Sequence, residues 1–280
     1  MYRKDPDLEF LQFCDNEDLE ILVNYLTKDK NDGTRLTQEL TSDALFKKCH
    51  ENYKQVWDLI AGELQCFGAD SFATLLRGGK GVVYREILID VCKHLKVNVD
   101  KKLEISKIEE ALLLRILRMI LEKMTEEEKK ELFMEVFKKM TEKQKQEFFK
   151  MINFNGERLD DFEANPERFE DFEFNAEMYE EFFKYFNFND FFNFMASIMG
   201  RFFFVIIANS VATALIGRSL ILAAEGFAVT RSLAIFAGPI GWVISGLFTL
   251  PMISGPAYRV TVPSIIQISY MRQKYKNKTN

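Results

Sequence analysis

The chain has 280 residues, 48% of them hydrophobic, which is enough for a sizeable core and too much for a disordered protein. Its net charge of −5 is unevenly divided: Phe191–Asn280 carries +7 and the first 190 residues carry −12. That pattern argues against a nucleic-acid binder, which needs a basic polar face with exposed stacking groups, and suits contact with an anionic membrane surface.

Residues 1–9 place no apolar stretch behind Arg3 and Lys4, so no secretory signal is expected. Cys14, Cys49, Cys66 and Cys92 have no paired spacing and read as reduced thiols in a cytosolic compartment. The fold class is expected to be all-α, a multi-helix bundle with a C-terminal apolar helical hairpin. Three regions are expected: an N-terminal helical domain over 1–121, an acidic Phe-rich helical segment over 122–200, and an apolar, Gly-rich hairpin with a basic tail over 201–280.

In residues 7–27, Leu8, Leu11, Leu19, Leu22, Val23 and Leu26 recur at helical spacing, with a break near Asp15-Asn16. Thr41-Ser42-Asp43 offers short polar caps for the next helix, and residues 53–67 and 82–96 read as amphipathic helices. Between those two lie the turn Gly68-Ala69-Asp70-Ser71 and the glycine turn ending at Gly81. Residues 106–152 are helical, with Ile108, Leu112, Ile116, Met119 and Ile120 forming an apolar stripe. Thr125 followed by Glu128, and Thr141 followed by Gln144, are capping-box spacings, which divide this tract into short helices that start alike.

From 154 to 194 the chain turns to Phe, Asn, Asp and Glu. Nineteen of the 27 phenylalanines lie between 133 and 204, which favours short helices packing Phe inward over an extended interaction arm.

Two uncharged runs follow, Phe202–Gly217 and Ser232–Tyr258. As a membrane hairpin, one helix would cover about 202–224 and another about 232–254, since ~20 helical residues span the hydrocarbon. Arg218 weakens the first span. The small residues Ala208/Ala212, Ser210/Ala214, Ala234/Gly238 and Ala237/Gly241 would let such helices approach closely. The competing structure is a helical hairpin buried in protein, with Gly and Pro marking its breaks. In the membrane reading Arg201, Arg272, Lys274, Lys276 and Lys278 keep both ends cytoplasmic, and Arg231 in the turn is a counter-signal.

Candidate chemistry is sparse. Arg77-Gly78-Gly79-Lys80-Gly81 ahead of a helix could seat a phosphate or lipid head group, or could simply be an inter-helix turn; no Walker ending is present. Glu86, Asp90 and His94 share a helical face and could face a metal or solvent. With two histidines and no Gly-x-Ser-x-Gly, no nucleophilic triad can be assembled, and no cofactor or metal is expected.

Trp57-Asp-Leu-Ile-Ala-Gly-Glu-Leu-Gln-Cys-Phe-Gly-Ala-Asp-Ser71, the stretch Leu75 to Val91, and Ser254-Gly-Pro-Ala-Tyr-Arg-Val-Thr-Val-Pro-Ser-Ile-Ile-Gln-Ile268 resemble the YaaW family of uncharacterised bacterial proteins. The opening Asp7-Leu-Glu-Phe-Leu-Gln-Phe13 extends the likeness to both ends, while roughly 122–200 departs from it. The family's N-terminal region is weakly similar to ubiquinol-cytochrome c chaperones. The resemblance implies a non-enzymatic adaptor or assembly role at a membrane, and singles out Glu63, Arg77, Tyr84, Arg85, Asp90, Tyr258 and Arg259 for test. For Arg85 and Asp90 the plain alternative is an intrahelical or inter-helix ion pair, and for Tyr84 and Tyr258 it is packing. The expected partner is a membrane lipid or membrane protein, at the cytoplasmic face of the inner membrane or else in the cytoplasm, with homo-oligomers a further expectation. A membrane-inserting effector and a phosphate-ligand enzyme using the Arg77–Gly81 turn are the competing functions.

Overall fold

Alternation between apolar stripes and short polar caps produces helices throughout. The computed structural model describes residues 2–28, 35, 38–68, 81–138, 145, 188–199, 202–216 and 258–279. Within these lie nine α-helices and no strand: α1 Asn16–Thr27, α2 Ala44–Lys48, α3 Trp57–Phe67, α4 Tyr84–His94, α5 Ile105–Lys123, α6 Glu126–Lys138, α7 Phe188–Met199, α8 Phe202–Ile216 and α9 Tyr258–Thr279. Short 3-10 turns precede α1, α2 and α3.

Several boundaries follow directly from local chemistry. Asp15 takes extended backbone before α1, where the apolar periodicity breaks. Asp43 caps α2 by accepting from the Leu45 and Phe46 amides at 2.7 and 3.1 Å. The capping box at the start of α6 closes both ways: Glu128 N donates to Thr125 Oγ1 at 3.2 Å, and Thr125 N donates to Glu128 Oε2 at 2.8 Å. Its counterpart at Thr141 lies outside the described residues. Helix α4 ends through Lys96, held at φ 58°, with Val97 N donating to Cys92 O at 2.7 Å; this reverse turn satisfies carbonyls that the helix leaves open.

At the centre stands α9. It packs against α1, α3, α4, α5 and α8, and Val260 through Arg272 are buried without interruption. The sequence suggests a basic tail at the end of the chain; the structure instead buries Arg272, half-buries Lys274 and leaves Lys276 exposed. The reason is electrostatic. Arg272 meets the buried Glu109 and Lys274 meets the Asp15/Asp18 pair, while Lys276 pairs with Glu104 at the surface.

Helix α8, the described part of the first uncharged run, is packed into the bundle over most of its length, with Thr213 and Ala214 exposed near its end. Phe204, Ile206, Ile207, Ala208, Val211 and Ala212 are buried, and the helix packs on α1, α5, α7 and α9. No described helix is long and apolar enough to cross a membrane. The second expected span, about 232–254, the glycine turn at 77–80 and most of the Phe-rich segment lie outside the described residues.

Candidate functional site

Polar groups converge where the two ends of the chain meet. Glu109 occupies a position on the buried stripe of α5, between Ile105 and Ile108 on one side and Leu112 and Leu113 on the other, and is 0% exposed. Tyr84, the first residue of α4, donates its hydroxyl to Glu109 Oε1 at 2.7 Å. Arg272 of α9 brings its Nε to 3.0 Å from both Glu109 oxygens and donates Nη2 to the Asp7 carbonyl at 2.7 Å. Its guanidinium carbon also lies 4.2 Å from the centre of the Phe10 ring and 5.6 Å from that of Tyr84.

Next to this trio, Asp5 Oδ2 accepts from the Tyr84 amide at 2.6 Å, satisfying one of the open N–H groups at the start of α4. Gln65 of α3 completes the arrangement: its Oε1 accepts from Arg3 N at 2.8 Å and its Nε2 donates to Arg3 O at 2.9 Å. Residues 3–7 are thereby fastened to α3, α4 and α9 together.

Burial sets the electrostatics. It raises the Glu109 carboxyl above its ordinary value against the pull of Arg272 and Tyr84, and it raises the Tyr84 phenol further still, with Glu109 adding to the effect. Burial opposes the charge on Arg272, but Glu109 more than restores it, so the guanidinium stays protonated. A carboxylate whose two oxygens share the Nε–H, a carbonyl on Nη2 and an aromatic face hold this arginine in the protein interior. The chemistry of this site is that of a lock: both carboxylate oxygens, the phenol and the guanidinium are engaged with one another.

The remaining residues singled out from sequence disperse around this centre. Arg85 donates Nη1 to the carbonyls of Lys101 and Leu103 at 2.8 and 2.7 Å, with Asp7 Oδ2 3.9 Å from its Nε. Asp90 accepts from Lys93 at 2.8 Å. Arg85 and Asp90 thus find different partners. Glu63 is buried, accepts from Glu39 N at 3.3 Å, and is raised by burial. Tyr258 stacks on His94, ring centres 3.8 Å apart and planes 13° apart. Arg259 is half-buried in the first turn of α9. Among the described residues no group of three His, Cys, Asp or Glu could hold a metal.

Of the turn from Arg77 to Gly81, only Gly81 is described. Its amide neighbour Val82 donates to Gln65 O at 3.1 Å, and a Cβ on Gly81 would run into the Gln65 backbone. That close approach to α3 requires glycine for packing. Gly62 has a similar role, since its Cβ would lie 2.9 Å from the Tyr2 amide. The thiols are quiet: burial pushes Cys14 up to about 12 and Cys92 up to about 11.

Glu109, Arg272, Asp5 and Gln65 were not legible as a group. One local signal existed, a lone carboxylate at 109 on an otherwise apolar helical stripe, which only an opposite charge from elsewhere in the chain could satisfy.

Residues 2–36 match the model of a domain of unknown function, DUF3944. A UPF0174 protein of Helicobacter pylori strain J99 is 36% identical over 273 residues, covering 98% of this chain and 93% of the relative. The UPF0174 protein YaaW of Escherichia coli K12 is 32% identical over 275 residues, covering 97% of this chain and 95% of its own. A UPF0174 protein of Helicobacter pylori strain 26695 is 32% identical over 247 residues, covering 87% of this chain and all of the relative. No solved structure matches. With its full-length likeness to these bacterial proteins, the chain belongs to the UPF0174 family, whose members include YaaW.

Proposed function

We propose that this protein is a non-catalytic helical adaptor, assembly- or chaperone-like in character, whose bundle presents the uncharged run Ser232–Tyr258 to a membrane lipid or membrane protein at the cytoplasmic face of the inner membrane. The observation that carries this reading is the fastening of the helices on either side. Helix α8 is buried in the bundle, and α9 is tied to the N-terminal helices through Arg272, Lys274 and Gln267. Residues 217–257 are therefore tethered at both ends to a locked body, while their sequence, uncharged from 232 onward, is costly to leave in water.

One observation favours the membrane-inserting effector as a second reading: the apolar helix α8 buries most of its residues from Phe204 to Ala212 in the bundle, as a stored insertable segment would have to do. Fractionation of the native protein tests the adaptor. The expected result is retention in the membrane pellet through high salt and alkaline carbonate, release by detergent, and transfer to the soluble pool when 217–257 is replaced by a Gly/Ser linker. A full-length monomer in detergent-free buffer would sink it. Dye release from anionic liposomes by the purified protein would move the effector ahead.

A further inference from the structure

Among the described residues, the large apolar side chains left exposed are Phe13, Leu45 and Leu103, at 57, 63 and 43%. Polar and aromatic contacts gather all three at one end of the bundle, where α1, α4 and α5 begin and α9 finishes. Arg85, in the first turn of α4, donates to the carbonyls of Lys101 and Leu103 just ahead of α5. Lys276, near the end of α9, pairs with Glu104, the residue before α5. Phe13 ends the 3-10 turn ahead of α1 and stacks on Tyr275, ring centres 5.7 Å apart. Asn16, the first residue of α1, donates its side chain to the Glu51 carbonyl at 2.8 Å and accepts from Tyr53 N at 2.7 Å, so the turn that follows α2 hangs on the same end. Phe46, next to Leu45 in α2, stacks on Tyr53 at 5.9 Å.

Single exposed apolar residues are ordinary; what sets this end apart is the charge beside them. Lys101 and Lys102 precede Leu103, and Lys47 and Lys48 follow Leu45 by two and three residues. All four are exposed, and their ammonium groups have no partner among the described residues. The carboxylates nearby are mostly engaged by the fold. Asp7 faces Arg85, Glu9 faces Lys4, and Asp15 takes Lys274. Asp43 caps α2, Asp100 accepts from the Lys102 amide at 2.9 Å, and Glu104 is shared by Ser106 and Lys276. Glu17 and Glu51 are the exposed acids that oppose the lysines. Backbone bonds also fix the display: Leu103 N donates to Asp100 O at 3.1 Å, and Leu45 N to the Asp43 cap at 2.7 Å.

We infer that this end of the bundle is a peripheral docking surface for an anionic lipid bilayer, with Phe13, Leu45 and Leu103 entering the headgroup layer and the lysines beside the two leucines meeting lipid phosphates. Apolar side chains that stand out singly with lysines alongside suit such an interface, because the lysine stem lies along apolar groups while its ammonium reaches the phosphate. This surface is separate from the run Ser232–Tyr258. It binds reversibly and does not depend on the adaptor reading.

The test is fluorescence quenching of a full-chain Leu103→Trp variant by bromine-labelled lipid chains, read above the wild-type background of Trp57 and Trp242. Vesicles of phosphatidylglycerol with phosphatidylcholine are expected to quench the variant, and phosphatidylcholine alone to leave it unchanged. Salt at about 1 M is expected to abolish the effect, since it shortens the screening length to ~3 Å. Lys123→Trp, at the opposite end of α5, is expected to show no added quenching. Lys101→Gln with Lys102→Gln is expected to raise the lipid needed for half-quenching about thirtyfold, a factor of about five for each lysine at the surface. Leu45→Trp serves as a second reporter should Leu103→Trp fold poorly. Absence of quenching on anionic vesicles would overturn the inference, as would equal quenching of Lys123→Trp. A concentration-dependent blue shift of Leu103→Trp without lipid would assign this end to a second copy of the chain and overturn it too. Quenching in a protein that high salt strips from the membrane pellet would leave this surface standing and sink the adaptor; retention through carbonate without quenching would do the reverse.

Discussion

Arg272 reaches Glu109 across 163 positions of sequence and places its Nε 3.0 Å from each carboxylate oxygen. Since Glu109 is 0% exposed and Arg272 9%, neither charge can turn to water if its partner is removed. Glu109→Gln and Arg272→Met are each expected to cost about 3–5 kcal/mol, read as a drop in urea midpoint. Replacing both with Leu and Met should cost clearly less than the two single losses together, because no unpaired charge remains. Single variants within 1 kcal/mol of wild type would show that the pair is not buried as described.

Truncation gives a sharper test of where the core lies. The sequence reading treats 201–280 as a hairpin with a basic tail, set apart from an N-terminal helical domain. With Val260, Val262, Ile265, Ile266, Ile268 and Met271 all buried against the N-terminal helices, even loss of 258–280 alone should leave those helices with an open apolar seam. Loss of cooperative thermal unfolding by circular dichroism, with aggregation on gel filtration, is the expected outcome. A cooperative, monomeric fragment 1–257 would contradict it.

Lys274 predicts a pH dependence at the alkaline end. Burial alone would lower its ammonium, yet the hydrogen bonds it donates to Asp18 and Asp15 lift it above the ordinary 10.5. A base raised on folding contributes stability that is complete below its unfolded value and lost as the pH climbs through the folded one. The stability gap between wild type and Lys274→Met should therefore be constant from neutral pH to about pH 10 and shrink above 10.5. Urea midpoints across that range measure it, and a gap that widens with pH would be the wrong sign.

At Gly81 the expectation is steric. A methyl group there meets the Gln65 backbone, which has no rotamer with which to move aside. Gly81→Ala should lower stability by about 1–3 kcal/mol and shift the melting temperature accordingly. By contrast, Arg77→Glu with Lys80→Glu should leave the melting temperature nearly unchanged if those two side chains only decorate the turn. A neutral Gly81→Ala would remove the packing explanation for this glycine.

Much of the architecture was local, and therefore readable. The break at Asp15-Asn16, the cap at Asp43, the Thr125–Glu128 box and the apolar stripe of α5 are each set by side chains within a few residues of the backbone groups they serve. Composition and spacing were thus sufficient for an all-α chain and for most of its described helix starts. The position of α9 was not local. Its Thr261, Ser264, Gln267 and Ser269 are polar residues that any sequence reading assigns to a surface, and its cations looked like a tail for an anionic membrane. Only the tertiary structure brings Glu109 and Asp18 to meet Arg272 and Lys274, because a charge is welcome in an interior only where its opposite has been placed, and that placement is decided by how distant helices cross.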